Sequence, residues 1–317
     1  MPVPESSCQY DLTGLSRLKL FWALSRTPHG LLDMCTAALA ALLWLGYFPP
    51  LSIIVLGLIT VFAGYTAVYA LNDVVGYRSD KRKLQEGGLR RSGNCMDLDA
   101  IFVRHPMAHG LLSFKAGLVW SLAWALLALI GAYLLNPVCV LIFIVGCFLE
   151  ALYCFLWKLS AARTLVSGAV KMAGAVAAVY AVDPYPSLTY LIVLGLMLFF
   201  WEVGGQNIPN DLADLDEDRR FRVQTVPVWL GPSGSMMMVI GALSTATALS
   251  IILLQLSQIS FELPFVLAFI FAGIFLLLLP AVRLYRTGEA SQAMILFNKA
   301  SYYPLTLLVV VVLKLIL

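Results

Sequence analysis

Nine stretches of this 317-residue chain stay apolar for about 20 residues at a time, the length of helix that crosses the hydrocarbon core of a bilayer. They run roughly over residues 28–46, 51–71, 110–135, 138–157, 164–182, 187–206, 235–256, 262–282 and 296–317. Backbone groups inside lipid find no water, so each segment must satisfy its own hydrogen bonds as a helix. A composition that is 61% hydrophobic, with mean hydropathy +0.87, excludes an ordinary soluble globule. The expected fold is all-α: one integral membrane bundle of nine transmembrane helices, forming a single domain over residues 1–317.

Charge tests that count independently. Arg17, Lys19 and Arg26 precede the first run, and the second is followed by Arg78, Lys81, Arg82, Lys83, Arg90, Arg91 and Arg104. Lys158 and Arg163 follow the fourth; Arg219, Arg220 and Arg222 follow the sixth; Arg283 and Arg286 follow the eighth, with Lys299 opening the ninth. The intervening connections, "YFPP", "NP", "DPYPS" and "SQISFE", hold no Lys or Arg. Basic loops face the cytoplasm, which places the N-terminus inside and the C-terminus outside, in the cell membrane. The net charge of +3 is then a topology signal, and no nucleic-acid partner is expected. No cleavable leader is expected at the N-terminus. Six cysteines without a CxxC pair read as small hydrophobes.

Against this background "NIPNDLADLDED", residues 207–218, is anomalous, with five acids in one short stretch at the end of the sixth run. "NDVVGYRSD", residues 72–80, sits at the matching end of the second. Aligned on Asn72-Asp73 and Asn210-Asp211, the two read NDxxGxxxD and NDxxDxxxD. That pattern suggests a duplicated four-helix unit, about 17–157 and 158–287, with a final helix added. If both stretches continue their helices, Asp211, Asp214 and Asp218 fall within one sector of about 80°, and Asp73 and Asp80 share a face likewise. Asp216 and Glu217 point elsewhere. Opposed carboxylate faces need cations between them, and Mg²⁺, with its preference for oxygen ligands and shared phosphates, is the natural candidate. A lone acidic loop would read as a solvated face; two copies in register favour a site.

These motifs resemble those of the UbiA superfamily of intramembrane prenyltransferases. The resemblance is carried by "NDVVGYRSD", by "HPMAHGLLS" (residues 105–113), by "YCFLWK" (residues 153–158), and by "NDLADLDED" with the trailing "TVPVWLG". It implies nine helices in two four-helix halves plus a last helix, and Mg²⁺-dependent transfer of a prenyl group from an isoprenyl diphosphate to an acceptor. The acceptor it implies is aromatic, a quinone precursor such as 4-hydroxybenzoate. Transfer to a non-aromatic lipid acceptor and terpene cyclisation are the enzymatic alternatives, and a lipid-binding or transport protein is the alternative from another class. By the same resemblance Asn72, Asp73, Asp80, Asp211, Asp214 and Asp218 hold the metal, the five aspartates being catalytic. Asn72, Asn210, Arg78, Tyr153, Lys158 and Arg163 contact substrate, and Lys171 joins them from its place inside an apolar run, where a charge suggests a partner or a substrate cavity.

Several positions depart from that pattern or leave alternatives. Gly76 replaces the middle aspartate of the first motif, and His105 stands where the family has arginine, with Arg104 just before it. His29, His105 and His109 have no metal-binding spacing, and a loop or interface role is expected for His105 and His109. Lys158 either contacts phosphate or anchors a helix end. Lys171 lies inside the fifth run, where a charge implies a partner or a cavity; Asp33, Glu150 and Glu202, also in or near runs, are the candidate partners. The segment from Lys81 to Asp99 either caps the site, with Gly87 and Gly88 permitting movement, or binds anionic headgroups.

Overall fold

The computed structural model describes residues 16–88, 98 and 103–317. Among them nine helices are long and apolar enough to cross a membrane. A short helix α1 (Arg17–Leu24) precedes α2 (Thr27–Leu45), α3 (Leu51–Gln85), α4 (Phe114–Leu135), α5 (Pro137–Phe155) and α6 (Arg163–Val182). The sixth span is α7 (Leu188–Trp201), one wide π turn over Glu202–Asn207, and α8 (Ile208–Ala213), after which α9 (Leu215–Phe221) lies beyond the span. Then follow α10 (Val226–Leu256), α11 (Leu263–Ala272) with α12 (Leu279–Thr287), and α13 (Ala290–Ser301) with α14 (Tyr303–Ile316).

The expected spans are all present, and the differences lie at their ends. The second span was expected to stop near residue 71, but α3 continues to Gln85, carrying the whole first motif beyond the apolar run. The seventh starts at Val226 instead of 235, because "TVPVWLG" is itself a helical turn that ends at Gly231, whose φ of +73° only glycine adopts without strain. Pro232 then restarts the helix, as proline does at a first turn. Polar caps set other starts: Ser113, Asn136 and Ser187 accept backbone N–H bonds at the heads of α4, α5 and α7.

Lipid-facing and packed sides separate by residue size. On α4 the buried positions are Gly117, Ser121, Ala128, Gly131 and Ala132, whereas Leu122, Leu126 and Ile130 are exposed. Small residues let membrane helices approach closely, where dispersion and hydrogen bonds replace the hydrophobic effect. The larger core joins α2, α6, α7 and α10 to α14 through side chains such as Trp201, Tyr190, Tyr303 and Phe269. Between α2, α3, α4, α5 and α6, glycine and alanine leave instead an apolar cavity of about 410 Å³. Its wall follows α3 from Ile53 to Val68, about 22 Å at 1.5 Å per residue.

Candidate active site

One face of α3 carries the chain from this cavity to the charged end of the bundle. Tyr65, Tyr69, Asn72-Asp73, Gly76 and Asp80 recur every three or four residues on the continuous helix. Asp73 is buried and Asp80 partly so. A Cβ built on Gly76 would lie 3.1 Å from Asp80 Oδ2, so that position faces the same cluster. Asn72, expected beside the metal, donates its amide hydrogen to Glu150 on α5, a bond that uses Nδ2 and not the Oδ1 a cation would take. That bond gives the carboxylate buried within the fourth span a partner.

His105 was expected in a loop or interface role, but its Nδ1 sits 3.2 Å from Asp80 and 3.3 Å from Asp73. Asp73, Asp80 and His105 form a group with metal-ligand geometry. Histidine spacing could not reveal it, because two ligands come from a helix and the third from a distant turn with φ +53°. Burial alone would lower the His105 pKa; the carboxylates of Asp80 and Asp73 outweigh it and raise it to about 9. The same carboxylates that favour a proton on the imidazole can share a cation with it, and the imidazole must give up that proton to ligate. Arg26, not singled out by the sequence, adds a guanidinium 3.7 Å from Asp73.

The second motif is built differently from the expectation of one helical face. The helix breaks at Asp214 (φ −102°, ψ 11°), between α8 and α9. Asp211 and Asp218 are buried nevertheless, Asp214 is half-buried, and Asp216 is exposed as expected. Glu217, expected to point away from the acidic face, lies 3.7 Å from Lys83 of α3, tying the two motifs' elements together. Asn210 accepts the Asp214 N–H through its backbone carbonyl. Burial first, then repulsion from Asp211, raises the Asp218 pKa to about 7, against the pull of Lys83.

Arg163 is central to this half. It lies 3.6 Å from Asp211, donates to Tyr153 Oη at 2.6 Å and stacks over the same ring. Tyr153 also accepts from Asn207 Nδ2 at 3.3 Å, and Thr164 donates to Asn207 Oδ1 at 2.7 Å. Arg78 and Lys158 are exposed, Lys158 resting over the Trp157 ring. Lys83, which the sequence left among the topology charges, reaches further inward, over Trp157 and Phe221. The segment proposed as a lid lies largely outside the described residues. Its beginning is fixed: Gly88 is buried against the Phe221 ring, and Arg220 donates to the Glu86 carbonyl.

The residues present fit a divalent cation. Asp211 Oδ2 is buried and accepts no hydrogen bond, a costly state that a cation relieves, while Asp73 Oδ1 already draws His105 and Arg26 towards it. The first half offers two carboxylates and an imidazole where the second offers three carboxylates. Gly76→Asp is therefore expected to lower the Mg²⁺ concentration needed for half-maximal activity. An unchanged magnesium titration would show that this position does not reach the ion.

The model of the UbiA prenyltransferase family matches residues 34–302. No curated protein sequence matches the chain significantly. Among solved structures it resembles a digeranylgeranylglyceryl phosphate synthase at 16% identity, over 95% of this chain and 99% of that one, with a TM-score of 0.67. A UbiA homologue of Aeropyrum pernix K1 is 18% identical over 90% and 97% of the chains, with a TM-score of 0.68. A homologue of Archaeoglobus fulgidus, bound to geranyl diphosphate (GPP) and Mg²⁺, is 12% identical over 92% and 99%, with a TM-score of 0.63. With its motifs at one end of a nine-helix membrane bundle and a family match over most of its length, the chain belongs to the UbiA prenyltransferase family.

Proposed function

We propose that the protein transfers a prenyl group from an isoprenyl diphosphate to an aromatic acceptor of the quinone-precursor type, with Mg²⁺ at the carboxylates and the charged end facing the cytoplasm. The observation that carries this reading is the continuity along α3 from an apolar cavity to the buried carboxylate of Asp73 and the partly buried one of Asp80. Asp73, Asp80, Asp211, Asp214 and Asp218 would hold the ions, with Asn210 beside them. Bound Mg²⁺ neutralises the charge that gathers on a leaving diphosphate. Arg163, Lys83 and Arg26 supply fixed positive charge for the remaining phosphate oxygens. Apolar walls shield an allylic cation from water until the acceptor attacks. The Archaeoglobus homologue, with GPP and Mg²⁺ bound, supports the donor and the metal. Similarity to a digeranylgeranylglyceryl phosphate synthase makes a non-aromatic hydroxyl acceptor the second reading.

The test is Mg²⁺-dependent release of diphosphate from geranyl, farnesyl and geranylgeranyl diphosphates by the purified protein, with acceptors screened by product mass. No release from any donor would refute the proposal.

The cavity's length yields a sharper expectation. Gly57 lines it, and a Cβ there meets no atom within 4 Å, so a larger side chain would enter the cavity without displacing its neighbours. Gly57 is 16 residues from Asp73, about 24 Å along the helix axis. Gly57→Phe should cut turnover of geranylgeranyl diphosphate by about tenfold or more, the scale of removing a few buried methylene contacts, and spare GPP. An equal effect on both donors would place the tail elsewhere.

A further inference from the structure

Below the carboxylates, within the membrane-spanning region, lies a second set of ionisable groups that the proposed chemistry does not use. Lys171 Nζ on α6 is 2.6 Å from Asp33 Oδ2 on α2, 3.2 Å from Tyr69 Oη on α3, and 3.5 Å from Glu202 Oε2. Tyr69 donates to Asp33. His29 Nε2 is 3.8 Å from Asp33 Oδ1. Ser167 donates to Glu202 Oε1 at 2.6 Å. Glu202 is 6% exposed, and its Oε2 accepts no hydrogen bond.

A structural ion pair would be complete with Lys171 and Asp33. The second carboxylate shares the one ammonium at a longer distance, 3.5 Å against 2.6 Å for Asp33, and so adds desolvation that a single Lys171 charge offsets less well. Charges inside a membrane are retained where they act on a substrate path. Glu202 also opens the π turn, a distortion that recurs at functional positions. That turn is pressed from behind: a Cβ on Gly204 would meet Ala242 Cβ at 2.9 Å, and one on Gly205 would meet Ala300 Cβ at 2.8 Å. Trp201 Nε1 donates to the Ala300 carbonyl at 2.9 Å, fixing the residue before it. Glu202 is thus held toward α6 and Lys171.

Its level in the bundle is the informative point. Val68, Val170 and Met34 line the cavity's upper end, and Asp73 stands about 7.5 Å further along α3. Tyr69, Lys171 and Asp33 are the chain neighbours of those lining residues. A donor with its diphosphate at Asp73 and its tail in the cavity must place C1 at this level. We infer that Glu202 is the base for the acceptor, taking the proton of an acceptor hydroxyl that Lys171, Asp33 and Tyr69 orient beside the donor's C1. This rests on the proposed prenyl transfer. The C1–O bond breaks, and its electron pair leaves with the diphosphate. The acceptor supplies the pair for the new bond to C1, directly from oxygen or through the ring carbon that oxygen activates. The hydroxyl proton ends on Glu202 Oε2; where carbon is attacked, the ring proton returns to the oxygen.

The full chain in phosphatidylcholine nanodiscs, given geranylgeranyl diphosphate and Mg²⁺, is assayed with 4-hydroxybenzoate, hydroquinone and an alkylglycerol phosphate. Prenylated product and released diphosphate are measured separately. In Glu202→Gln, which keeps the Ser167 bond, product formed per diphosphate released should fall about 100-fold or more, with the KM for donor unchanged. Glu202→Asp should recover part of the coupling, because the carboxylate returns. A Glu202→Gln variant that transfers with wild-type coupling overturns the inference, as does one losing release and transfer in equal measure, which marks a structural role. Wild-type protein that releases diphosphate but prenylates none of the three compounds also overturns it. Wild-type protein that releases no diphosphate fails the prenyl-transfer proposal itself.

Discussion

Asp73→Ala and Asp211→Ala should each lower Mg²⁺-dependent diphosphate release by about 10³-fold or more while leaving a folded, monodisperse protein in detergent. The magnitude is that of removing electrostatic stabilisation from a developing anion in a site with little water. Asp211 is buried with an Oδ2 that accepts no hydrogen bond, and Asp73 is held by ion pairs at 3.3 Å and 3.7 Å, so truncation removes charge more than packing. The cations beside them keep other partners: Arg163 remains bonded to Tyr153, and His105 remains beside Asp80. Deleting Asp211 also removes the charge that repels Asp218. Fold and activity should therefore separate. Asp216→Ala, on the same motif but exposed, should change activity less than twofold, within the small effect of a solvated surface charge. Equal losses in Asp211→Ala and Asp216→Ala would mean that the acidic stretch acts by bulk charge and not by holding an ion.

The contrast between those two aspartates shows what the sequence could and could not reveal. Nine spans were legible because crossing lipid demands long apolar helices, and little else writes such runs. Helix ends were less so: α3 continues past its apolar run because its polar end packs against other protein, at Glu150, His105 and Glu217. The expectation of one acidic face assumed an unbroken helix, and the break at Asp214 removes it. Burial of Asp211 and Asp218 survives because tertiary contacts, not the 3.6-residue period, position them. His105 was hidden for a related reason. Its approach to Asp73 and Asp80 depends on a turn far away in sequence, and only its place at the arginine position of the family pattern hinted at it. Lys171 was conspicuous as a cation in an apolar run, but three acids were possible partners, and only the fold selects Asp33.

That selection sets up the second large effect. Lys171→Met should destabilise the protein by about 3–5 kcal/mol, the cost of leaving a buried charge without its partner, because it strands both Asp33 and Glu202. Asp33→Val should cost less, since Lys171 then still has Glu202 3.5 Å away. The double variant should be more stable than Lys171→Met alone, because two apolar side chains of similar volume replace a pair whose desolvation offsets most of its attraction. Thermal unfolding in one detergent, run as a double-mutant cycle, would give the coupling directly. Additive losses would show that the two residues do not act as a pair, and wild-type stability in Lys171→Met would show that its ammonium is solvated. Prenyl transfer by the double variant should stay impaired even where its stability returns, because the cation that orients the acceptor hydroxyl beside Glu202 is absent. Stability and transfer recovering together would reduce the network to a structural ion pair.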